Sequence, residues 1–236
     1  MNIFIHIGTR KGSKGLKNKN LLILKNKKLI EHTILFVKRL NFKKKIIVNT
    51  DDEKVIKIAK KMKINFVIKR PKNLSTSKAS KFSAWKYAAE WLIKQREMNI
   101  KKDILLDLDN TCPLRKKKDI EKMFIIFKKK YYKNKKIDCL FTVTKARRNP
   151  YFQLMEYNSR GLLEISKKIK GKMFVRRQDI PKVYEHCGVA YFFKPQFLID
   201  KRNFLDGNLK GYEIDRISSM DIDDKEDLEI VSRYFK

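Results

Sequence analysis

The 236-residue sequence predicts an α/β fold, a mostly parallel sheet with helices on both faces. Short apolar runs recur along the chain and alternate with amphipathic segments of helical length. Crossover connections of this kind produce parallel pairing. Glycines, hydroxyls or acids follow several of the apolar runs directly. Since ligands of such sheets collect at the carboxyl ends of the strands, these following segments are the candidate site.

Each predicted element rests on its own pattern. The strands are short runs rich in apolar and β-branched residues, and they cover residues 2–7, 45–50, 64–68 and 103–108. The helices carry an apolar face, and they cover residues 29–37, a segment opening at 51–53, and residues 80–94. A final helix starts at the acids 224–227, where the helix dipole favours negative charge.

Length and composition indicate one domain over residues 1–236 with a well-buried core. No stretch approaches the ~20 apolar residues needed to cross a bilayer, and the first residues lack a signal-peptide pattern. We therefore expect no membrane partner. The three cysteines, Cys112, Cys139 and Cys187, are scattered, which together with the missing signal pattern predicts a reduced, cytoplasmic setting.

The formal net charge of +32 has two interpretations. It is either a nucleic-acid footprint or a compositional bias. The lysines are spread along the whole chain, and Asn, Ile, Phe and Tyr, which A/T-rich codons encode, are abundant. This distribution favours the bias, so we expect no nucleic-acid partner; a basic nucleic-acid-binding protein stays as the alternative from another class. The charge should still attract anionic substrates.

The segment after the first strand has the composition of a phosphate-binding loop. Residues 8–15 read GTRKGSKG, and Lys19 and Asn20 follow. Glycines let successive N–H groups point at one anion, while Arg10, Lys14 and Lys19 add charged donors that match a polyphosphate. The spacing differs from both the Walker and the Gly-x-Gly-x-x-Gly patterns. A basic glycine-rich surface turn is the alternative.

The motif Arg-x-Gly-Ser-Lys-Gly with Lys-Asn close behind resembles the signature of the CMP-sialic acid synthetases (acylneuraminate cytidylyltransferases). The resemblance implies a Rossmann-like nucleotidyltransferase fold. It also implies that CTP and a nine-carbon sugar acid are the substrates, and that the products are the CMP-sugar and pyrophosphate. Arg10, Lys14 and Lys19 would be catalytic. The nucleotide contacts implied in this loop are Arg10, Gly12, Ser13, Lys14, Lys19 and Asn20.

A second constellation, residues 107–115, follows the strand at 103–108. Asp107 and Asp109 alternate onto one side of an extended strand. The segment resembles the family's Gln/Asp-x-Thr-Ser-Pro-Leu-Arg motif, with Cys112 in place of Ser; members that activate legionaminic acid tend to read Asp-Leu-Asp here. The resemblance places Asp109 at the nucleotide and at a metal. A turn or helix-capping acid is the alternative.

The loop 69–80 resembles the family segment that lies beside the nucleotide. It implies that Arg70 contacts the base or a phosphate and that Ser80 belongs to the nucleotide site. Ser80 is also suited to cap the next helix. Ser77 stands where the family usually has Asp, so no polar contact is assigned to that position.

Residues 147–182 interrupt the strand–helix alternation, with a strand expected at 151–157 and a turn at 158–161. The resemblance identifies this insertion as a small lobe that forms a homodimer and lends residues to the partner's sugar site, with Gln178 among the sugar contacts. The aromatics of the segment would supply buried contact area. A solvated basic hairpin without a partner is the alternative.

Two further segments resemble the family. Residues 185–192 match its Asn-Gly-Ala-Ile-Tyr strand, with Cys187 in place of Asn, which implies sugar contacts from Cys187 and Tyr191. Residues 220–231 match its acidic ending, which implies Mg²⁺ held by Asp109 and Asp223, with Asp221 as an alternate ligand. A helix-capping acid without any chemistry is the alternative for Asp223. His186 is expected to be an ordinary polar residue.

The departures at Asp109, Cys112 and Cys187 leave the exact sugar open. A sister sugar nucleotidyltransferase that uses another sugar or another nucleotide is therefore the nearest alternative function.

Overall fold

The computed structural model describes residues 1–12, 15–131 and 136–235. The strands are β1 (Ile3–Gly8), β2 (Ile23–Leu24), β3 (Lys27–Lys28), β4 (Lys45–Thr50), β5 (Phe66–Lys69), β6 (Ile104–Leu108), β7 (Cys139–Lys145), β8 (Met155–Tyr157), β9 (Leu163–Ile165), β10 (Tyr184–Phe193) and β11 (Leu209–Glu213). The α-helices are α1 (Leu29–Lys38), α2 (Glu53–Lys61), α3 (Lys81–Lys94), α4 (Lys117–Ile126), α5 (Pro195–Asp200) and α6 (Lys225–Tyr234).

Seven strands form the central sheet in the order β11-β7-β10-β6-β1-β4-β5. Ile5 of β1 pairs with Ile46 of β4 on one side and with Leu106 of β6 on the other, both in parallel. β10 runs antiparallel to β6 and β7. The mostly parallel sheet confirms the predicted fold class, and it brings the carboxyl ends of β1, β4 and β6 to one edge.

Alternation along β1 explains the two cores. Ile3, Ile5 and Ile7 face a cluster that includes α1, α2 and α4, whereas Phe4 faces a second cluster that includes the aromatic side of α3 and α5. Successive strand residues point to opposite faces, so an uninterrupted apolar run fills both layers.

The starts of α2, α3 and α6 were predictable from their capping residues. The Ser80 side chain accepts a hydrogen bond from Ser83 N at 3.1 Å, and the Asp52 side chain accepts one from Lys54 N at 2.9 Å. Asp224 and Asp227 form a capping box at α6. Each cap satisfies an amide that the helix itself leaves unpaired.

The strand expected at 151–157 is wrong in its first half, because only Met155–Tyr157 is extended. Asn149 Oδ1 accepts a hydrogen bond from Tyr151 N at 2.9 Å, and Gln153 N donates to Asn149 O at 2.8 Å. These bonds fold the Asn149-Pro150 step into a turn, which is the chemistry typical of Asn before Pro. β8 then pairs with β9 in a two-stranded sheet apart from the central one.

Within the described residues, no helix is both long enough and apolar enough to cross a bilayer.

Candidate functional site

A cavity of about 540 Å³ opens where β1, β4 and β6 end. It brings together most of the residues that the sequence assigned to nucleotide and metal: Arg10, Lys19, Asn20, Arg70, Ser80, Asp109, Asp221 and Asp223. Ser13 and Lys14 lie outside the described residues. Gly12 is exposed, with a φ of 80° that favours glycine.

Hydrogen bonds connect the loop after β1 to the segments that follow β4 and β6. Asn20 Nδ2 donates to Arg10 O at 3.0 Å, and Asn110 Nδ2 donates to Asn20 Oδ1 at 3.1 Å. Lys11 N donates to the carboxylate of Asp51 at 2.8 Å. Asn20 therefore has a structural role here, because its side chain holds the backbone of Arg10 against the segment after β6.

The far wall of the loop is acidic. Lys19 Nζ lies 2.8 Å from Asp223 Oδ1 and 4.0 Å from Asp221 Oδ1. A Cβ at Gly15 would collide with the backbone oxygen of Asp223, so glycine is required for this approach. Burial lowers the pKa of Lys19, but its hydrogen bond to Asp223 and the charges of both acids outweigh this and raise it above its ordinary value.

Asp221 and Asp107 each have a buried oxygen without a hydrogen bond from the described residues, and the Asp107 oxygen lies 3.3 Å from Lys81 Nζ. In Asp221 this oxygen is Oδ1. Burial, and then the negative charge of Asp109, raise the pKa of Asp221 above its ordinary value. A carboxylate whose ionisation a second carboxylate disfavours, and whose buried oxygen accepts no hydrogen bond from the described residues, fits a divalent cation.

No group of three Asp, Glu, His or Cys side chains in the described parts of the chain is arranged to hold a metal by itself. A hard cation here would therefore take at most two carboxylates and complete its shell with water and phosphate oxygens, which is the usual arrangement for Mg²⁺.

Lys81 was missed at the sequence level. Its Nζ donates to Asp109 Oδ2 at 2.6 Å, lies 3.3 Å from Asp107 Oδ2, and stands 4.8 Å above the ring of Tyr191. Burial lowers its pKa, but the charges of Asp109 and Asp107 dominate and hold the pKa well above its ordinary value. The same ammonium holds the pKa of Asp109 below its ordinary value, although burial acts the other way. The residue after the Ser80 cap points back over the strand ends, which is the signal that could have identified it.

A buried polar chain connects Lys81 to Arg70. Asp107 Oδ1 lies 2.6 Å from His6 Nδ1, and Asn49 Nδ2 donates to His6 Nε2 at 3.2 Å. His6 Nδ1–H must then donate to Asp107. Arg70 Nη2 donates to Asn49 O at 3.0 Å. Burial lowers the pKa of His6 despite the carboxylate beside it, so this residue links the acids to Arg70 as a neutral imidazole.

The three predicted sugar contacts, Cys187, Tyr191 and Gln178, lie in three different environments. The Cys187 side chain packs in an apolar cluster with Cys112, Val189 and Ile214, and burial raises the pKa of its thiol. Tyr191 lies beneath Lys81, next to the cavity. Gln178 is exposed in the insertion, in the turn Arg177–Asp179. These assignments stay predictions.

His186, expected to be an ordinary polar residue, belongs to an aromatic group. Its Nε2 lies 2.8 Å from Tyr191 Oη, and its ring stacks on Phe204 with centroids 5.5 Å apart. Phe141 completes the group in an edge contact at 5.0 Å. Burial, and then the charge of Lys81, lower the pKa of His186. A neutral, stacked imidazole beside Tyr191 forms an apolar wall next to the charged cavity.

The chain is similar to several known proteins. A family model described as "Cytidylyltransferase" matches residues 4–233. Post-translational flagellin modification protein B of Campylobacter coli is 33% identical over 99% of this chain and 95% of its own length. CMP-N,N'-diacetyllegionaminic acid synthase of Campylobacter jejuni is 30% identical over 97% of this chain and 93% of its own length.

A solved structure of a CMP:2-keto-3-deoxy-manno-octonic acid synthetase complexed with CTP is similar in fold. It superposes with a TM-score of 0.69 at 16% identity, over 99% of this chain and 98% of that one. At this identity the similarity shows the fold alone.

Proposed function

Because the chain belongs to the cytidylyltransferase family, we propose that it joins CMP from CTP to a nonulosonic acid and releases pyrophosphate. The observation that carries this proposal is the cavity itself, which Arg10 and Lys19 line together with Asp109 and Asp221. The similarity to CMP-N,N'-diacetyllegionaminic acid synthase spans nearly the whole of both chains, which makes a legionaminic-type acid the first substrate to test.

In this reaction the anomeric hydroxyl of the sugar acid attacks the α-phosphorus of CTP in line. The bond to the β-phosphate bridge breaks, pyrophosphate leaves with that electron pair, and the hydroxyl proton passes to solvent. Phosphoryl chemistry of this kind leaves the protein mainly positioning and charge compensation. Arg10 and Lys19 hold the triphosphate, and Arg70, anchored through Asn49, contacts the nucleotide from the opposite side.

Asp109 and Asp221 are the ligands we propose for Mg²⁺, which when bound supplies charge neutralisation at the phosphates. The sequence alone favoured Asp109 with Asp223. The carboxylate of Asp223, however, is 73% exposed and already paired with Lys19, whereas the buried Oδ1 of Asp221 has no hydrogen-bond partner among the described residues. Asp223 then positions Lys19.

We also propose a homodimer through the insertion at residues 147–182. This segment carries unusually exposed apolar side chains: Leu154, Met155, Tyr157, Leu162, Leu163, Met173 and Val175. Such a patch is typical of a protein interface. A second copy is the partner that the family resemblance implies, and the cytoplasm remains the proposed compartment.

Pyrophosphate release tests the proposed function. Purified protein is given CTP, UTP or ATP together with legionaminic, sialic or pseudaminic acid, in the presence of Mg²⁺. We expect release with CTP and one nonulosonic acid, and at least tenfold less in Arg10→Ala. Release with another nucleotide would assign the sister-enzyme alternative. No release with any pair would contradict the proposal.

A further inference from the structure

A second cavity lies outside the proposed active site, between α1, the β2–β3 turn and the end of α6. Its volume is about 630 Å³. Among the described residues that line it, every charged one is basic. These residues are Lys25, Lys27, Lys38, Arg39 and Arg115. Aromatic surface from Phe36 and Phe235 completes the wall. Cations that converge on a concave space without a carboxylate are matched to an anion.

Arg115 provides an independent indication. Its side chain is only 6% exposed, and its Nε has no hydrogen-bond partner in the described chain. Nη1 donates to Thr33 Oγ1 at 3.2 Å and Nη2 donates to the carbonyl oxygen of Asp109. No described carboxylate lies within ion-pair distance of this guanidinium. The charges of Asp109, Asp107 and Asp221 act on Arg115 only from beyond ion-pair distance. A buried charge that no carboxylate contacts directly is costly, so an anion in the adjoining cavity would offset part of that cost.

Arg39 extends the basic surface. It lines the large cavity and also a neighbouring one of about 440 Å³, whose other lining residues are Phe36, Arg115 and Lys117. Two adjoining concave spaces that share Arg39 and Arg115 are matched to an anion with charge at more than one point.

We propose that this cavity is a second anion-binding site, which takes a small molecule bearing two or more phosphate charges, either inorganic pyrophosphate or a nucleoside phosphate. Arg115 touches the cavity with one side and the backbone of Asp109 with the other, so an occupant there is coupled to the position of Asp109. Only this catalytic consequence rests on the proposed function; the binding does not.

The test uses pyrophosphate as the probe, measured by isothermal titration calorimetry without Mg²⁺. Arg10→Ala weakens binding in the first cavity and leaves the second intact, so we expect it to retain about one pyrophosphate per chain. Adding Lys25→Gln and Arg39→Gln should weaken that remaining binding by about tenfold or more. The matched control adds Lys57→Gln and Lys60→Gln on α2, two exposed lysines away from both cavities, and should leave it unchanged.

Unchanged binding in the Lys25→Gln/Arg39→Gln combination would overturn the proposal. Equal weakening in the control pair would also overturn it, since general attraction to a basic protein would then explain the binding. Displacement of the bound pyrophosphate by CMP assigns a nucleoside phosphate, and pyrophosphate binding that CMP does not displace assigns the inorganic anion; both support the site. An inactive enzyme that still binds would contradict the proposed function and leave this site standing.

Discussion

Lysines compensate the carboxylates around the first cavity. Lys81 forms an ion pair with Asp109, and Lys19 forms one with Asp223. Acids so close to a triphosphate site would otherwise repel the nucleotide, and burial makes that repulsion stronger than it would be in water. The two lysines therefore place positive charge where phosphate and a divalent cation are expected to arrive.

Two substitutions of Lys81 distinguish the contribution of its positive charge from that of its side-chain volume. We expect Lys81→Met to lower kcat/KM by at least about tenfold, which is ~1.4 kcal/mol, and Lys81→Arg to retain part of the activity. Because Asp109 loses its counter-charge, Mn²⁺ binding followed by electron paramagnetic resonance should become tighter in Lys81→Met. Lys78→Met, in the exposed loop before α3, is the control. Normal kinetics and unchanged Mn²⁺ affinity in Lys81→Met would refute this role.

We expect Arg10 and Lys19 to contribute to activity by contacting the triphosphate of CTP. Removing either cation takes one charged donor from the triphosphate, so we expect about a tenfold or larger loss in kcat/KM for CTP. Steady-state kinetics of Arg10→Ala and Lys19→Ala measure this, with Lys17→Ala, an exposed lysine of the same loop, as the control. If folded variants match the wild type, the phosphate-loop interpretation fails.

We expect the Asp221 carboxylate to lower the stability of the metal-free protein and to be needed for activity. Its pKa is raised in the folded protein, so its ionisation disfavours folding at neutral pH, and this penalty disappears as the pH falls below its ordinary value of 3.8. We therefore expect Asp221→Asn to raise the melting temperature of the metal-free protein at pH 7 and to have little effect near pH 3. The same change should lower activity and alter its Mg²⁺ dependence.

Asp109→Asn should lower activity as well but should not stabilise the protein, because the pKa of Asp109 is lowered by Lys81. Melting curves of both variants at two pH values, together with activity across a Mg²⁺ titration, distinguish the two acids. A lower melting temperature for Asp221→Asn at pH 7, or near-normal Mg²⁺ dependence in both variants, would argue against the metal assignment.

The sequence identified the site residues that lie in short motifs but not their long-range partners. Arg10 and Lys19 belong to the glycine-containing loop after β1, and Asp109 follows the end of β6, so local pattern reveals them. Lys81 and His6 differ from these, because their chemistry depends on Asp107 and Asp109, which only the pairing of β1 with β6 and the docking of α3 bring near. The position of Lys81 directly after the Ser80 cap is its one local signal, and that signal does not identify Asp107 and Asp109 as its partners.

Among the secondary-structure elements, those with long apolar runs were predictable and the insertion was less so. β1, β4 and β6 are buried throughout most of their length, which leaves a continuous apolar signal. In the insertion, β8 is exposed at all three residues, so its sequence shows no alternation of buried and exposed positions. The turn at Asn149 also shortens the strand. Exposure of the insertion also motivates the dimer.

Charge placed in the exposed apolar patch should abolish dimerisation. Met173 is 90% exposed and Val175 is 79% exposed, so burying an aspartate from either position in a partner interface would cost several kcal/mol. We expect the wild type to be a dimer by light scattering and Met173→Asp/Val175→Asp to be a monomer. Ile125→Asp on α4, an exposed apolar position outside the insertion, is the control. A wild-type monomer at working concentrations would contradict the proposal.

Over the whole molecule, the excess of 58 Lys and Arg over 26 Asp and Glu sets a background of repulsion. Like charges destabilise a compact state, and salt screens them over a Debye length of about 8–10 Å near physiological ionic strength. We therefore expect the melting temperature to rise as NaCl increases from low to moderate concentration. For a chain of this size each kcal/mol of added stability corresponds to about 2–4 °C.

The choice of anion then separates screening from binding. Chloride and sulfate compared at equal ionic strength should stabilise by similar amounts if screening alone acts. Sulfate should exceed chloride if the basic cavity around Arg39 and Arg115 takes up a divalent anion. The Lys25→Gln/Arg39→Gln variant should remove that excess while keeping the common response to ionic strength, and Lys57→Gln/Lys60→Gln should keep both. A melting temperature that falls or does not change as NaCl increases would show that the net charge does not significantly destabilise the folded protein.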